Sequence, residues 1–240
     1  MTQRFEDLKK IPQKAAGEFL AASDAALDDA GGIALNRSVG DVLADLDARG
    51  NLTDQIRLLA RSLPKREAVW WACLAGRDLQ PDGAAWATLK VAEDWVYKPG
   101  PETRQRCFDV VNDADPDEES DLCARAAYFA EPEEEEIWVQ PGFTPMMAEL
   151  MNIKSMLDVP AEAMEVWARH LIDRGLDIAR GGNGAVAAPA LPEASADAFA
   201  EDGDEDVAEP AVAPMAAMAA VQDPAASPVG AVPDPAAEKV

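Results

Sequence analysis

Pro64-Lys65-Arg66-Glu67-Ala68-Val69-Trp70-Trp71-Ala72-Cys73-Leu74 reads as the opening of a buried α-helix. Proline suits the start of a helix, because the N–H it lacks would have no partner there. Glu67 follows within the first turn, where a carboxylate favours the positive end of the helix dipole. Val69, Ala72, Cys73 and Gly76 then recur at helical spacing and make one narrow face of small residues. Successive helical residues point ~100° apart, so Trp70 and Trp71 do not share that face. Two arrangements satisfy this. Either the helix is central and touched by neighbours on two sides, or one indole stays near the surface as an anchor for a partner protein.

The same punctuation extends in both directions. Pro12, Pro101, Pro116 and Pro160 also open apolar-periodic runs, and Gly31-Gly32, Gly50, Gly100 and Gly181-Gly182 close them. The spacing predicts helices over 12–29, 40–48, 52–62, 65–79, 83–97, 101–113, 117–130, 146–157 and 160–180, with an acidic, proline-punctuated loop over 131–145. There is no sustained period-2 alternation and no Asn-Gly hairpin signal. The expected fold class is therefore all-α: a compact multi-helix domain of stacked antiparallel helices over 1–180. The run 160–180 is the most legible, with Met164, Trp167, Ala168, Leu171, Gly175 and Ile178 on one face. Glycine in the middle of such a face costs ~1 kcal/mol against alanine. That cost at Gly175 points to close approach by a neighbouring helix.

Composition sets the outer limits. The chain has 240 residues, is 48% hydrophobic and carries a formal net charge of -24. All six tryptophans precede Arg180. Residues 181–240 hold 11 acidic residues, 1 basic residue and 8 prolines, so a disordered acidic Ala/Pro-rich tail is expected there. Residues 1–180 keep 34 acidic against 20 basic residues, a balance of -14. So negative a chain argues against nucleic acid or an anionic membrane as partner. No stretch approaches the ~20 apolar residues of a membrane helix, and no apolar run follows the N-terminus. Cys73, Cys107 and Cys123 are odd in number and far apart, which fits a reducing compartment. A cytoplasmic location is expected.

The order Leu59-Ala60-Arg61-Ser62-Leu63-Pro64, then Arg66-Glu67-Ala68-Val69-Trp70-Trp71-Ala72-Cys73, resembles the signature of an uncharacterised bacterial family of helical proteins, a domain of unknown function. Ala92, Trp95 and Val96, the Pro101–Gln105 stretch and the closing Gly175-Leu176-Asp177-Ile178-Ala179-Arg180-Gly181 follow in matching order. The resemblance covers about 50–181 and excludes the tail. It implies an association with type VI secretion gene clusters, and it implies neither catalytic residues nor a cofactor.

The search for chemistry in the residues themselves is short. Asp113-Ala114-Asp115-Pro116-Asp117 has the opening rhythm of a calcium loop, but Glu118 stands where the sharp turn needs glycine and Ala124 where a bidentate glutamate belongs. An acidic turn capping the next helix is the simpler reading. The cysteines lack Cys-x-x-Cys spacing and lie among apolar residues, as small core residues do. His170 is the only histidine, at the border of an apolar face near Trp167. Glu67 either has its acidity altered by the indoles beside it or pairs with a nearby arginine or the helix start. No phosphate-binding glycine loop and no nucleophile elbow is present. No metal and no cofactor is expected.

Two functional expectations remain. The first is a non-enzymatic interaction or adaptor protein, with Trp70, Trp71, Arg66 and Glu67 as the candidate contact residues and a protein partner, a secretion-system component or cargo. The second is an enzyme with an unrecognised carboxylate-based site in a helical cleft, which requires acidic groups of shifted pKa in a concave pocket.

Overall fold

The helix read from Pro64 onward spans Lys65–Leu79 in the computed structural model, which describes residues 2–80, 86–113, 120–132, 136 and 139–191. In chain order the helices are α1 (Ala16–Ala22), α2 (Val39–Ala48), α3 (Leu52–Ser62), α4 (Lys65–Leu79), α5 (Ala87–Tyr97), α6 (Pro101–Asp113), α7 (Asp121–Tyr128), α8 (Phe143–Leu157) and α9 (Met164–Arg180). Two 3-10 turns, Thr2–Phe5 and Ala161–Ala163, precede α1 and α9. Among the described residues there is no β-strand, only an isolated antiparallel bridge between Ala15 and Ser38. The fold is all-α, as the spacing predicts. All described residues belong to one unit, Met1–Ser195.

Local chemistry sets several of the helix ends. The Asp41 N–H donates to Ser38 Oγ and caps α2 at 3.2 Å, and the Asp54 N–H donates to Asn51 Oδ1 and caps α3 at 3.1 Å. α9 stops at Gly181, whose φ of 102° is the left-handed conformation that glycine enters without strain.

One expected helix is largely absent. Of 12–29, only Ala16–Ala22 is helical. Asp24 turns the chain with a φ of 48°, and the segment beyond is held by long-range partners. The N–H groups of Asp28 and Asp29 donate to the two carboxylate oxygens of Asp54 at 3.0 and 3.1 Å. The Gly17 N–H donates to Leu35 O at 2.8 Å. Leu27 and Ile33 are buried from the loop itself. A wholly buried carboxylate that collects backbone donors outweighs local helical periodicity, and periodicity along the chain carries no trace of it. Smaller differences lie at the ends of other runs. α8 begins at Phe143, inside the stretch expected to be loop, and the first turn of 160–180 is 3-10. The beginnings of the predicted helices 83–97 and 117–130 lie outside the described residues, as do Asp115–Glu119, Glu133–Glu135 and the tail from Pro192.

α4 packs on α5, α7, α8 and α9, and α8 packs on α3, α4, α7 and α9. The small face of α4 meets α5 and α7, where the Cys123 thiol donates to Ala72 O at 3.4 Å. A Cβ built on Gly76 would lie 3.1 Å from Cys123 Sγ and 3.3 Å from Leu89 Cδ1. The other side carries Trp71, which is wholly buried and donates from Nε1 to Leu171 O at 2.9 Å. Gly175 lets α9 come that close: a Cβ there would lie 3.1 Å from Trp71 Cε2. Truncating a buried tryptophan costs roughly 3–5 kcal/mol.

A charged seam joins α3 to α8. Glu149 Oε1 accepts from Arg57 Nε at 2.9 Å, while Arg61 Nη2 lies 2.8 Å from Oε2, poorly aligned for a hydrogen bond. Arg57 also reaches Asp54 at 2.9 Å and Asp28 at 2.7 Å. Burial works to lower the pKa of Arg57, but Asp28 and Glu149 outweigh it and hold the value up. Burial dominates at Arg61, whose pKa falls although Glu149 opposes the shift.

Candidate functional site

Trp70 leaves α4 about one-third of a turn from Trp71, and its environment is different. It is half-buried and lines a groove of about 410 Å³. α4 supplies Arg66, Glu67 and Trp70, the last turns of α5 supply Glu93, Val96 and Tyr97, and the chain after α9 supplies Gly181, Gly182 and Asn183. Lys10 and Ile178 complete the lining.

The indole is held in place. Trp70 Nε1 donates to Asn183 O at 2.8 Å, and the Arg77 guanidinium stands 4.9 Å from the ring centroid. Arg77 is itself fixed by Glu93 at 2.6 Å, and that carboxylate raises its pKa. Arg66 Nε donates to Val96 O at 2.6 Å, tying α4 to the end of α5. Glu67 accepts from Lys10 Nζ at 3.0 Å, so its partner is a lysine from the N-terminal segment rather than an arginine. Tyr97 stands on the rim, 87% exposed.

The structure thus brings together Trp70, Arg66 and Glu67. It does not bring Trp71 to that surface: Trp71 is 0% exposed and faces α9, so the expectation that it contacts a partner is corrected. The physical reason is the spacing already noted. One indole of an adjacent pair takes the side that Gly175 opens, and the other then lies on a flank ~100° away. Lys10, Tyr97 and Asn183 were not singled out from sequence. Lys10 and Asn183 are remote from Trp70 along the chain, and only the exposure of Tyr97 distinguishes it from a core aromatic.

The other sequence candidates have structural surroundings. His170 is buried with its ring centroid 5.0 Å from that of Trp167, and Nε2 has no hydrogen-bond partner. Burial, helped by the Arg174 charge, lowers its pKa. All three cysteines are free and buried. Burial raises the Cys73 thiol well above its ordinary value and pushes Cys107 up to about 12. Among the described residues no three His, Cys, Asp or Glu side chains come together as a metal site would require. Glu136, from the acidic run, pairs with the buried Arg104 and accepts from Tyr128 Oη at 2.7 Å.

A larger cavity of about 530 Å³ lies between residues 5–14 and the start of α2. The helix end there is already served by its own residues. Ser38 Oγ donates to Asp41 Oδ2 at 2.7 Å, and this bond, with Arg37, lowers the Asp41 pKa despite burial. The Asp28 pKa is lowered too, by its hydrogen bond and ion pair with Arg57. Both shifts run opposite to the raised carboxyl that acid catalysis at neutral pH uses.

Among the described residues no helix is long and apolar enough to cross a membrane. No curated protein and no solved structure matches the chain. A family model does match, over residues 42–179, described as a family of unknown function (DUF6931). The matched region contains Arg66, Glu67, Trp70 and Tyr97, while Lys10 and Asn183 lie outside it.

Proposed function

The chain belongs to this family of unknown function, and we propose that it is a non-enzymatic adaptor whose Trp70 groove receives a short apolar or aromatic segment of a partner protein. The observation that carries this reading is the indole itself. Trp70 is half-buried, clamped by Asn183 O and Arg77, and set beside the exposed Tyr97. A pre-positioned aromatic anchor binds without the cost of ordering its own side chain. Truncating such an anchor typically costs about 2 kcal/mol or more, roughly thirtyfold in Kd. Glu67 and Glu93 are each held by a cation, an arrangement that favours a fixed recognition surface.

The partner is proposed as a component or cargo of a bacterial type VI secretion apparatus, after the gene-cluster association that the sequence resemblance implies, and it is proposed to be met in the cytoplasm, which the unpaired cysteines favour. Capture from native lysate with mass spectrometry tests the reading. The wild-type chain is compared with Trp70→Ala and with Tyr97→Ala, both checked for an unchanged thermal melt. Loss of the same captured protein in both variants is the expected result. If folded Trp70→Ala captures that protein as well as the wild type, the groove is not the interface.

A further inference from the structure

α8 is apolar on two opposite faces. One packs inward through Ala148, Met151 and Ser155. The other carries Met146, Leu150, Ile153 and Leu157 at spacings of four, three and four, one continuous stripe about 16 Å long. Leu150 is 43% and Leu157 60% exposed, Met146 is half-buried, and Ile153 is half-buried with part of its side chain against the core. Single exposed leucines are ordinary, but four apolar residues at this spacing on one outward face are what a second helix packs against.

The end of the stripe is electronegative. Asp158 caps α8 and Glu162 follows, both exposed. A carboxylate at a helix C-terminus adds to the negative end of the dipole, so its placement costs stability within the free domain. Lys154, in the last turn, already has a partner of its own. A second copy of this chain would bring another domain with a balance of -14 against the first. Charge complementarity favours a cation.

We propose that this face of α8 docks a cationic amphipathic helix from a partner protein, its apolar side on Met146, Leu150, Ile153 and Leu157 and its lysines or arginines over Asp158 and Glu162. The surface is separate from the Trp70 groove and does not depend on it.

The probe is a labelled synthetic amphipathic helix as long as α8, with leucines at the facing positions and lysines elsewhere. A counterpart carries glutamate in place of each lysine. Fluorescence anisotropy with the full chain is expected to show the cationic peptide bound at least about tenfold tighter than its counterpart, and weaker as salt rises. Leu150→Asp with Leu157→Asp should lose that binding although it adds negative charge, so loss marks the apolar stripe rather than bulk electrostatics. Asp158→Lys with Glu162→Lys leaves the stripe intact and should weaken binding and flatten its salt dependence. Trp70→Ala should bind as the wild type does. The proposal is overturned by equal binding of both peptides, by binding that survives the leucine substitutions, by loss in Trp70→Ala, or by light scattering that shows a dimer which those leucine substitutions dissociate.

Discussion

Glu149→Gln is expected to be among the most costly single substitutions in this protein, and the structure indicates its size. Glu149 is 7% exposed and neutralises two arginines at once. Arg57 survives its loss, because Asp54, Asp28 and Ala26 O remain at 2.9, 2.7 and 3.2 Å. Arg61 does not. Its side chain is 7% exposed, its Nε and Nη1 have no hydrogen-bond partner, and Glu149 is the carboxylate that opposes the burial-driven fall in its pKa. Removing one partner of a buried pair typically costs about 3–5 kcal/mol, because the other is left as an uncompensated charge. The isosteric amide keeps an acceptor for Arg57, so about 3 kcal/mol is expected. That is a large share of the roughly 5–15 kcal/mol that holds a typical domain together. Adding Arg61→Met removes the stranded charge and should recover part of the loss, with an interaction energy of about 2 kcal/mol in the double-mutant cycle. Urea unfolding of the full chain, followed by tryptophan emission and far-UV circular dichroism, measures all four corners. If Glu149→Gln stays within about 1 kcal/mol of wild type, or if the two changes simply add, the seam is not the buried ion cluster described here.

Three further expectations follow from the core. Gly175→Ala gains about 1 kcal/mol of helix propensity, but its Cβ meets Trp71, which is pinned by the bond to Leu171 O. Overpacking costs about 1–3 kcal/mol, so net destabilisation is expected in urea melts, and a gain equal to the propensity term would show that Trp71 moves freely. His170 is the only histidine, so its imidazole proton resonances report alone, and they should titrate below the ordinary value of 6.5. Since the unfolded chain takes up that proton first, stability should fall as pH drops through 6.5 and level off below the folded-state value. His170→Asn should lose that part of the slope, and a titration at or above 6.5 contradicts the buried site. The three thiols are buried and those of Cys73 and Cys107 have raised pKa values, so a thiol reagent at neutral pH should label none of them in the native chain and all three once urea is added. Rapid native labelling would show that the core opens.

Most of the helices are legible because the signals that define them are local. Pro64 and Glu67 start α4, Gly181 stops α9, and the spacing of Trp167, Leu171 and Ile178 identifies the buried face of α9. Gly175 also announces a close helix approach before any neighbour is known, since nothing else offsets its propensity cost. The stretch 23–37 is different. The N–H groups of Asp28 and Asp29 are satisfied by Asp54 and Ala26 O is held by Arg57, partners 25 to 31 residues further along the chain.

The candidate site divides in the same way. Sequence alone determines that Trp70 and Trp71 occupy different sides of α4, because adjacent helical residues diverge by ~100°. Only tertiary structure decides which indole is enclosed, because that depends on which flank meets Gly175 of α9 and which meets Asn183, Arg77 and the end of α5. Helical periodicity is a property of consecutive residues, while enclosure depends on surfaces that the chain brings together from more than a hundred residues apart.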